Sequence, residues 1–342
     1  MESQSDSETP KAASLPEANI PEEAFGDGTY NSLSCRDKNS IYLGGYGHLY
    51  QVNSASGEIE NTLLPSSNML GAAAYGEYIY YIEINLGENG LSSSLVRVKK
   101  DGSGKESLTE LDPGSYDLKI YGQSISVSYQ TIQDNRVCSL FLYYELDEEG
   151  RLCSEAVPAE SICGDFADAD GNRLDFLIDP LFSLQDCGNI YQYLQMEDSV
   201  KVHILKENGD VLEKKLACSV PPKVINGNLV YYDETGKCLS LYQPDEDAIS
   251  PLFEATDAEK TEVLNCDNKW IYFGIYENED GANMIVYRIN MGNKEAESLF
   301  ETSGTEIRYF SVYDGMCYYG TDTGWIRHSL NFADDIIEYP GF

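Results

Sequence analysis

The sequence predicts an all-β fold, a β-propeller of four-stranded blades, and three observations predict it. A short phrase recurs: a turn residue, then an aliphatic residue, then tyrosine. The recurrences are evenly spaced. Each is followed by a second alternating stretch and a glycine turn. Self-similarity at a fixed period marks a fold built as an array of one small unit.

The phrase reads Asn39-Ser-Ile41-Tyr42, Gly76-Glu-Tyr-Ile79-Tyr80-Tyr81, Gly188-Asn-Ile190-Tyr191, Gly227-Asn-Leu-Val230-Tyr231-Tyr232 and Asn268-Lys-Trp270-Ile271-Tyr272-Phe273. Weaker copies stand at Gly122-Gln-Ser-Ile125 and Gly315-Met-Cys317-Tyr318-Tyr319. The starts at 41, 79, 125, 190, 230, 271 and 317 are 38 to 46 residues apart, except for the 65 between Ile125 and Ile190. A four-stranded propeller blade takes about 40–50 residues. Seven blades are therefore expected, with six or eight as alternatives. An insertion near 155–182 accounts for the long interval.

The next element is a strand of period two: Leu49-Tyr-Gln-Val52, Leu95-Val-Arg-Val98, Leu140-Phe-Leu-Tyr143, Val200-Lys-Val202-His-Ile204, Leu239-Ser-Leu-Tyr242, Ile285-Val-Tyr-Arg-Ile289 and Trp325-Ile-Arg327. Asp101-Gly102 and Asn208-Gly209 then read as tight hairpin turns, where positive φ is needed. Short outer strands follow, such as Glu106-Ser-Leu108 and Val211-Leu212. Small residues ahead of the phrase, as in Gly71-Ala-Ala-Ala74, suit an innermost strand crowded round an axis. To close the ring, strands from both termini are expected to mix, with Tyr30–Cys35 near Ile336–Tyr339.

Two segments stand apart from the repeats. Residues 1–25 are rich in Ser, Pro, Glu and Ala and read as a disordered tether, leaving 26–342 as a single propeller domain. Such a stretch follows the lipidated cysteine of a bacterial surface lipoprotein, so a lipid anchor upstream and a cell-surface location are expected. An ordinary cytoplasmic N-terminus is the competing reading.

The sequence resembles a known family at Leu95-Val-Arg-Val-Lys-Lys-Asp101-Gly-Ser-Gly104, at Tyr231-Tyr-Asp233 and at Tyr318-Tyr-Gly-Thr-Asp322. These are similar to the strand-and-turn motifs of the YWTD propellers of low-density-lipoprotein receptors. The chain from about residue 30 onward looks like their bacterial relatives in Gram-positive surface lipoproteins. Receptor propellers have six blades against the seven starts here. The resemblance implies a fold and leaves the function open.

Composition narrows the partners. The 342 residues carry 23 Lys and Arg against 58 Asp and Glu, a net charge of −35. Such a surface repels nucleic acid and anionic lipid. No apolar run reaches the roughly 18 residues of a membrane-spanning helix. Nine cysteines, several in strand positions, read as reduced, buried small hydrophobes. The three histidines lie far apart, and no zinc spacing is present. No GxSxG, HExxH, Walker or SxxK motif occurs.

The candidate site is the insertion. Asp165, Asp168, Asp170 and Asp175 gather carboxylates on one stretch beside the apolar Phe176. Asp168, Asp170 and Asn172 offer oxygens at the spacing of a weak calcium loop, although the bidentate Glu of an EF-hand is missing. A solvated turn is the competing reading, and no other cofactor is expected. Tyr46, Tyr116 and Tyr313 are candidates for an aromatic platform. The function expected is that of a monomeric, non-catalytic extracytoplasmic binding protein for a protein, peptide or glycan. The alternative is a propeller enzyme, a glycan hydrolase or lyase, with an axial active site.

Overall fold

The computed structural model describes residues 33–340, outside positions 38, 46, 88–89, 122, 134–135, 154–156, 159–176, 179–189, 196–198, 207–209, 221, 226, 256–259, 267–268, 277–282, 305 and 332–334. The described residues form seven four-stranded antiparallel sheets, each from strands consecutive in sequence. The first sheet comprises Ser34–Arg36, Ser40–Gly45, Gly47–Asn53 and Ile59–Ser67, and the second Met69–Tyr75, Tyr78–Gly87, Gly90–Lys99 and Glu106–Leu111. The third is Ser115–Tyr121, Ser124–Gln133, Arg136–Glu145 and Val157–Pro158, and the fourth Leu177–Ile178, Ile190–Gln195, Val200–Leu205 and Val211–Leu216. The fifth is Lys223–Ile225, Asn228–Asp233, Cys238–Gln243 and Ala248–Glu254. Lys260–Cys266, Trp270–Tyr276, Asn283–Asn290 and Ala296–Ser303 make the sixth, and Tyr309–Tyr313, Met316–Gly320, Gly324–Ser329 and Ile336–Pro340 the seventh. First strands touch between the first and second, second and third, fifth and sixth, and sixth and seventh sheets, and Ser34 of the first meets Ser311 of the seventh. The fold is a β-propeller. No helix among the described residues is long and apolar enough to cross a membrane.

All seven phrase starts fall in second strands. The reason is burial on both faces. In the fifth sheet, Leu229 and Tyr231 join an apolar cluster with the fourth sheet's Val202 and Ile204. Val230 between them joins Ile271 and Phe273 of the sixth. In the seventh, Cys317 and Tyr319 pack toward the sixth sheet while Tyr318 packs toward the first. A strand buried on both sides reads as a continuous apolar run rather than as an alternation. At Tyr80 and Tyr42 the hydroxyl reaches an acceptor at the edge of the core. Tyr80 Oη donates to Gly150 O at 2.7 Å and Tyr42 Oη to Asp37 Oδ2 at 2.9 Å.

Neighbouring sheets are also tied by turns. The turn between the third and outer strands of one sheet docks on the sheet before it. Arg97 Nη1 of the second sheet donates to Glu149 O in the third sheet's turn at 2.7 Å. Lys206 and Lys214 of the fourth reach Asp245 (2.7 Å) and Asp247 (2.5 Å) of the fifth. Lys100 of the second lies 2.9 Å from Asp37 of the first. Burial opposes the charge on Asp37, but Lys100 and the Asn39 and Ser40 N–H groups outweigh it and hold the carboxyl below its usual range.

Closure differs from the expectation. Among the described residues, neither the first nor the last sheet borrows a strand from the other end of the chain. Ser34–Arg36 lie against the seventh sheet's first strand instead of against Ile336–Tyr339: Ser34 Oγ is 2.6 Å from Ser311 Oγ and 3.1 Å from Tyr313 Oη, and Arg36 pairs with Asp314 at 3.0 Å. The run containing Tyr339 meets the first sheet's turn, where Tyr339 Oη donates to Gly57 O at 2.7 Å. Trp325 Nε1 donates to Gly44 O at 2.8 Å. Side-chain packing across the seam replaces a shared strand. Tyr30 and the segment 1–25 lie outside the described residues.

Turn chemistry differs too. Gly102 has φ +83°, but Asp101 stays at negative φ, and its Oδ1 accepts from Ser103 N at 2.8 Å. Among the described residues, a two-residue turn with both residues at positive φ is instead Asp314 (φ 51°) and Gly315 (φ 77°), between Tyr313 and Met316. Asn208-Gly209 lies outside the described residues.

Cys35, Cys218, Cys238 and Cys317 are free and buried, Cys266 is partly buried and Cys153 is exposed. Burial pushes the Cys35 and Cys317 thiols far above the usual range. Only the thiolate alkylates readily. Among these six, Cys153 should therefore be labelled first by iodoacetamide in mildly alkaline buffer, while Cys35 and Cys317 react only in denaturant. Mass mapping of the labelled peptides checks this, and modification of Cys35 in folded protein would contradict the packed ring.

Candidate functional site

In a ring of four-stranded meanders, the turns joining second to third strands share one face with the links from each outer strand to the next sheet. That face is uneven. In the second and third sheets the second and third strands are each 10 residues long. In the first, fourth, fifth and seventh sheets they run 5 to 7 residues, and in the sixth 7 and 8.

The extra length lies beyond the neighbouring strands. In the second sheet the inner strand pairs as far as Met69↔Glu83 and the outer as far as Leu111↔Ser93. The hairpin continues through Ile84↔Ser93, Asn85↔Ser92, Leu86↔Leu91 and Gly87↔Gly90. Four residues at about 3.3 Å each carry it roughly 13 Å past the inner strand. In the third sheet the inner strand stops at Ser115↔Tyr129, and the hairpin continues to Gln133↔Arg136. Each hairpin places an aliphatic pair one rung below its last, Leu86 opposite Leu91 and Ile132 opposite Val137.

Along the second hairpin one face emerges step by step from the core. Ile82 and Leu95, fully buried, pack in the cluster shared with Ile125 and Val127 of the third sheet. Ser93, two rungs further, is 1% exposed. Leu91 is 48% exposed and Leu86 84%. The carboxylates of Glu110 and Asp112 are exposed where the outer strand ends beside Ser94 and Ser93.

The predicted site residues Asp165, Asp168, Asp170, Asn172, Asp175 and Phe176 lie outside the described residues. Their flanks do not: Val157–Pro158 is the outer strand of the third sheet and Leu177–Ile178 the inner strand of the fourth. The link between these strands therefore starts and ends on the face that bears the hairpin turns. Tyr46 lies outside the described residues and so does the Tyr116 side chain. Tyr313 is buried at the seam, its ring 5.9 Å from that of Tyr318, and serves closure rather than a platform.

The described groups with strongly raised pKa values are tyrosines and cysteines packed between sheets. Burial pushes Tyr80 up to about 12 against the opposing pull of Arg97, and pushes Cys218 up to about 12 with help from Glu234. Among the described residues no three His, Cys, Asp or Glu side chains stand together as metal ligands. His203, one of several buried polar residues, lies on the third strand of the fourth sheet with Nε2 2.9 Å from Glu213 Oε2 of the outer strand, and Lys201 Nζ is 2.8 Å from Glu213 Oε1.

Sequence reasoning missed the projecting hairpins. Their signal was present: Ile82, Ile84 and Leu86 continue the alternation beyond the Tyr80-Tyr81 phrase, and Gly87-Glu-Asn-Gly90 supplies the turn.

No family model and no curated protein matches the sequence. Solved structures do. A puromycin-hydrolysing peptidase of Mycobacterium tuberculosis superposes with a TM-score of 0.54 at 12% identity, over 88% of this chain and 51% of that one. An acylaminoacyl peptidase of Pyrococcus horikoshii gives 0.52 at 10% identity, over 91% and 52%. A functionally unknown protein of Desulfotomaculum acetoxidans gives 0.50 at 10% identity, over 89% and 95%. The chain spans about half the length of the two peptidases. At such identities the likeness is one of fold, and this chain is a β-propeller similar in architecture to all three.

Proposed function

We propose that the chain is a non-catalytic, extracytoplasmic binding protein, a YWTD-like propeller of the surface-lipoprotein kind, presenting one face to a protein, peptide or glycan. The observation that carries this reading is the pair of ten-residue hairpins on adjacent sheets. Strand residues past the neighbouring strands add little to the packing of the ring, whereas projections from a rigid scaffold are where recognition is placed. The link 159–176 leaves from the same face. Asp165, Asp168, Asp170, Asp175 and Phe176 are assigned to the same surface, with a weak calcium loop at Asp168, Asp170 and Asn172 as an accessory. Residues 1–25 tether the propeller to the cell surface, and the protein acts as a monomer.

The test compares the full chain with a variant in which 85–92 is replaced by Asn-Gly, so that a two-residue turn joins Ile84 to Ser93. Both are incubated with solubilised cell-envelope peptides and glycans, followed by calorimetry and by mass spectrometry of the ligand pool. Saturable binding without turnover, lost in the shortened variant, is the expected result. Release of cleaved glycan or peptide would replace this reading with the axial-site enzyme.

A further inference from the structure

We infer that the seam between the seventh and first sheets binds a small monovalent anion, of the size of chloride or formate, between Arg327 Nε and Tyr318 Oη. The chain itself shows what an arginine at this position holds. Among the described residues, three third strands carry an arginine whose register partner on the second strand is a tyrosine: Arg97 opposite Tyr80, Arg288 opposite Tyr272 and Arg327 opposite Tyr318. On the outer strand the register partner of Arg97 is Glu106, and that of Arg288 is Glu297. Glu106 Oε2 accepts from Arg97 Nε at 3.0 Å and from Nη2 at 2.7 Å, and Glu297 Oε1 accepts from Arg288 Nε. At the same register Arg327 meets Ile337, which offers no acceptor.

Arg327 is 2% exposed. Its Nη1 reaches Asp335 Oδ1 at 3.2 Å, but its Nε is buried and makes no hydrogen bond. Tyr318 Oη, close to this guanidinium, is also buried without a hydrogen bond. In the second sheet the equivalent Tyr80 donates to the carbonyl of Gly150, in the turn of the next sheet. At the seam the glycine of that turn is Gly57, and Tyr339 Oη has taken its carbonyl. Two donors are therefore buried with no acceptor between them. A bond from Arg327 Nε to Tyr318 Oη would still leave the phenol proton unmatched. Leaving buried donors unmatched is unfavourable, and more so on a charged group.

The donors select the ligand. Two converging N–H and O–H groups call for an acceptor, and charge-assisted acceptance by an anion is the stronger form. Glu106 and Glu297 show a carboxylate oxygen on this edge of the arginine, so formate is the nearest free equivalent. Burial of both donors restricts the ion to a few atoms. Asp335 already shares the Arg327 charge, and the net charge of −35 opposes any anion, so weak, millimolar affinity is expected. A water molecule would meet the same donors without charge, and the experiment separates the two.

The probes are sodium formate and sodium chloride, each exchanged against sodium sulfate at constant ionic strength and read by the thermal midpoint. The midpoint of the parent chain should rise saturably by roughly 2 °C with either ion. Arg327→Gln removes the cation, and Ile337→Glu supplies the carboxylate that Arg97 and Arg288 have. Both variants should lose the dependence, which cancels any general effect of salt. The parent chain alone gives a second readout. It should broaden the chloride NMR signal, and formate should restore the narrow line by competition. No saturable rise together with no broadening would mean that the donors meet water only, and would overturn the proposal. The same dependence in Ile337→Glu as in the parent would place the ion elsewhere and overturn it too.

Discussion

Replacing Gly150 by alanine should destabilise the protein by about 3 kcal/mol, through backbone strain of about 1–2 kcal/mol and overpacking of about 1–3 kcal/mol. Gly150 has φ +72°. A Cβ there would lie 2.3 Å from Tyr80 Oη and 3.3 Å from Arg97 Nη1. Neither neighbour can give way easily, because Tyr80 is fully buried and Arg97 is held by Glu106 at 2.7 Å and by Glu149 O. The midpoint of urea unfolding should fall at unchanged slope. A second substitution isolates the cause. Tyr80→Phe removes the clashing oxygen at a cost of about 1 kcal/mol for the lost hydrogen bond. Gly150→Ala should then cost clearly less in the Tyr80→Phe background than alone. An equal cost in both would assign the loss to the backbone and remove the turn from the clamp between sheets.

Trp325→Ala should cost about 3–5 kcal/mol, the range for truncating a large buried aromatic residue. The indole is buried in the cluster that joins the seventh, first and second sheets, its ring 5.7 Å from that of Tyr309, and it satisfies Gly44 O. Trp325→Phe keeps most of the packing and should cost about 1–2 kcal/mol, much of it from leaving that carbonyl unpaired. Phe273→Ala provides the comparison, since Phe273 is equally buried between the fifth and sixth sheets. Similar losses at 325 and 273, read by urea unfolding, would show that the seam is as strong as an interior junction. A loss at 325 below about 1 kcal/mol would show that something other than side-chain packing closes the ring.

The ring itself was legible because its cause is local. Ile271, Tyr272 and Phe273 read as a strand core whichever neighbours they meet, since both faces are buried. The seam was not legible. Trp325 meets Gly44 across 281 residues, and no periodicity encodes which carbonyl an indole will find. Expecting mixed strands followed from a sound concern about exposed edges, but packing side chains over the first and last sheets answers that concern equally well. The hairpin at 84–92 was readable in principle. It was passed over because the repeat was matched on its shared rungs, and what sets the second sheet apart is the length added beyond them. The acidic insertion was found by its break in the period, a signal that marks a position without specifying its shape.

That each sheet is continuous in sequence has a consequence for biosynthesis. The first sheet is complete once residue 67 has emerged and the second once residue 111 has, so neither waits for the C-terminus. Short-range pairing of this kind forms quickly, and a growing chain can set its sheets down in order on the ribosome. The slow event is then the last docking, when Trp325 and Tyr339 reach Gly44 and Gly57. A nascent chain halted before that point would hold most of its strands paired while leaving one flank of the first sheet uncovered. That flank, with Leu43 and Tyr50, is the surface a chaperone would have to shield until synthesis ends.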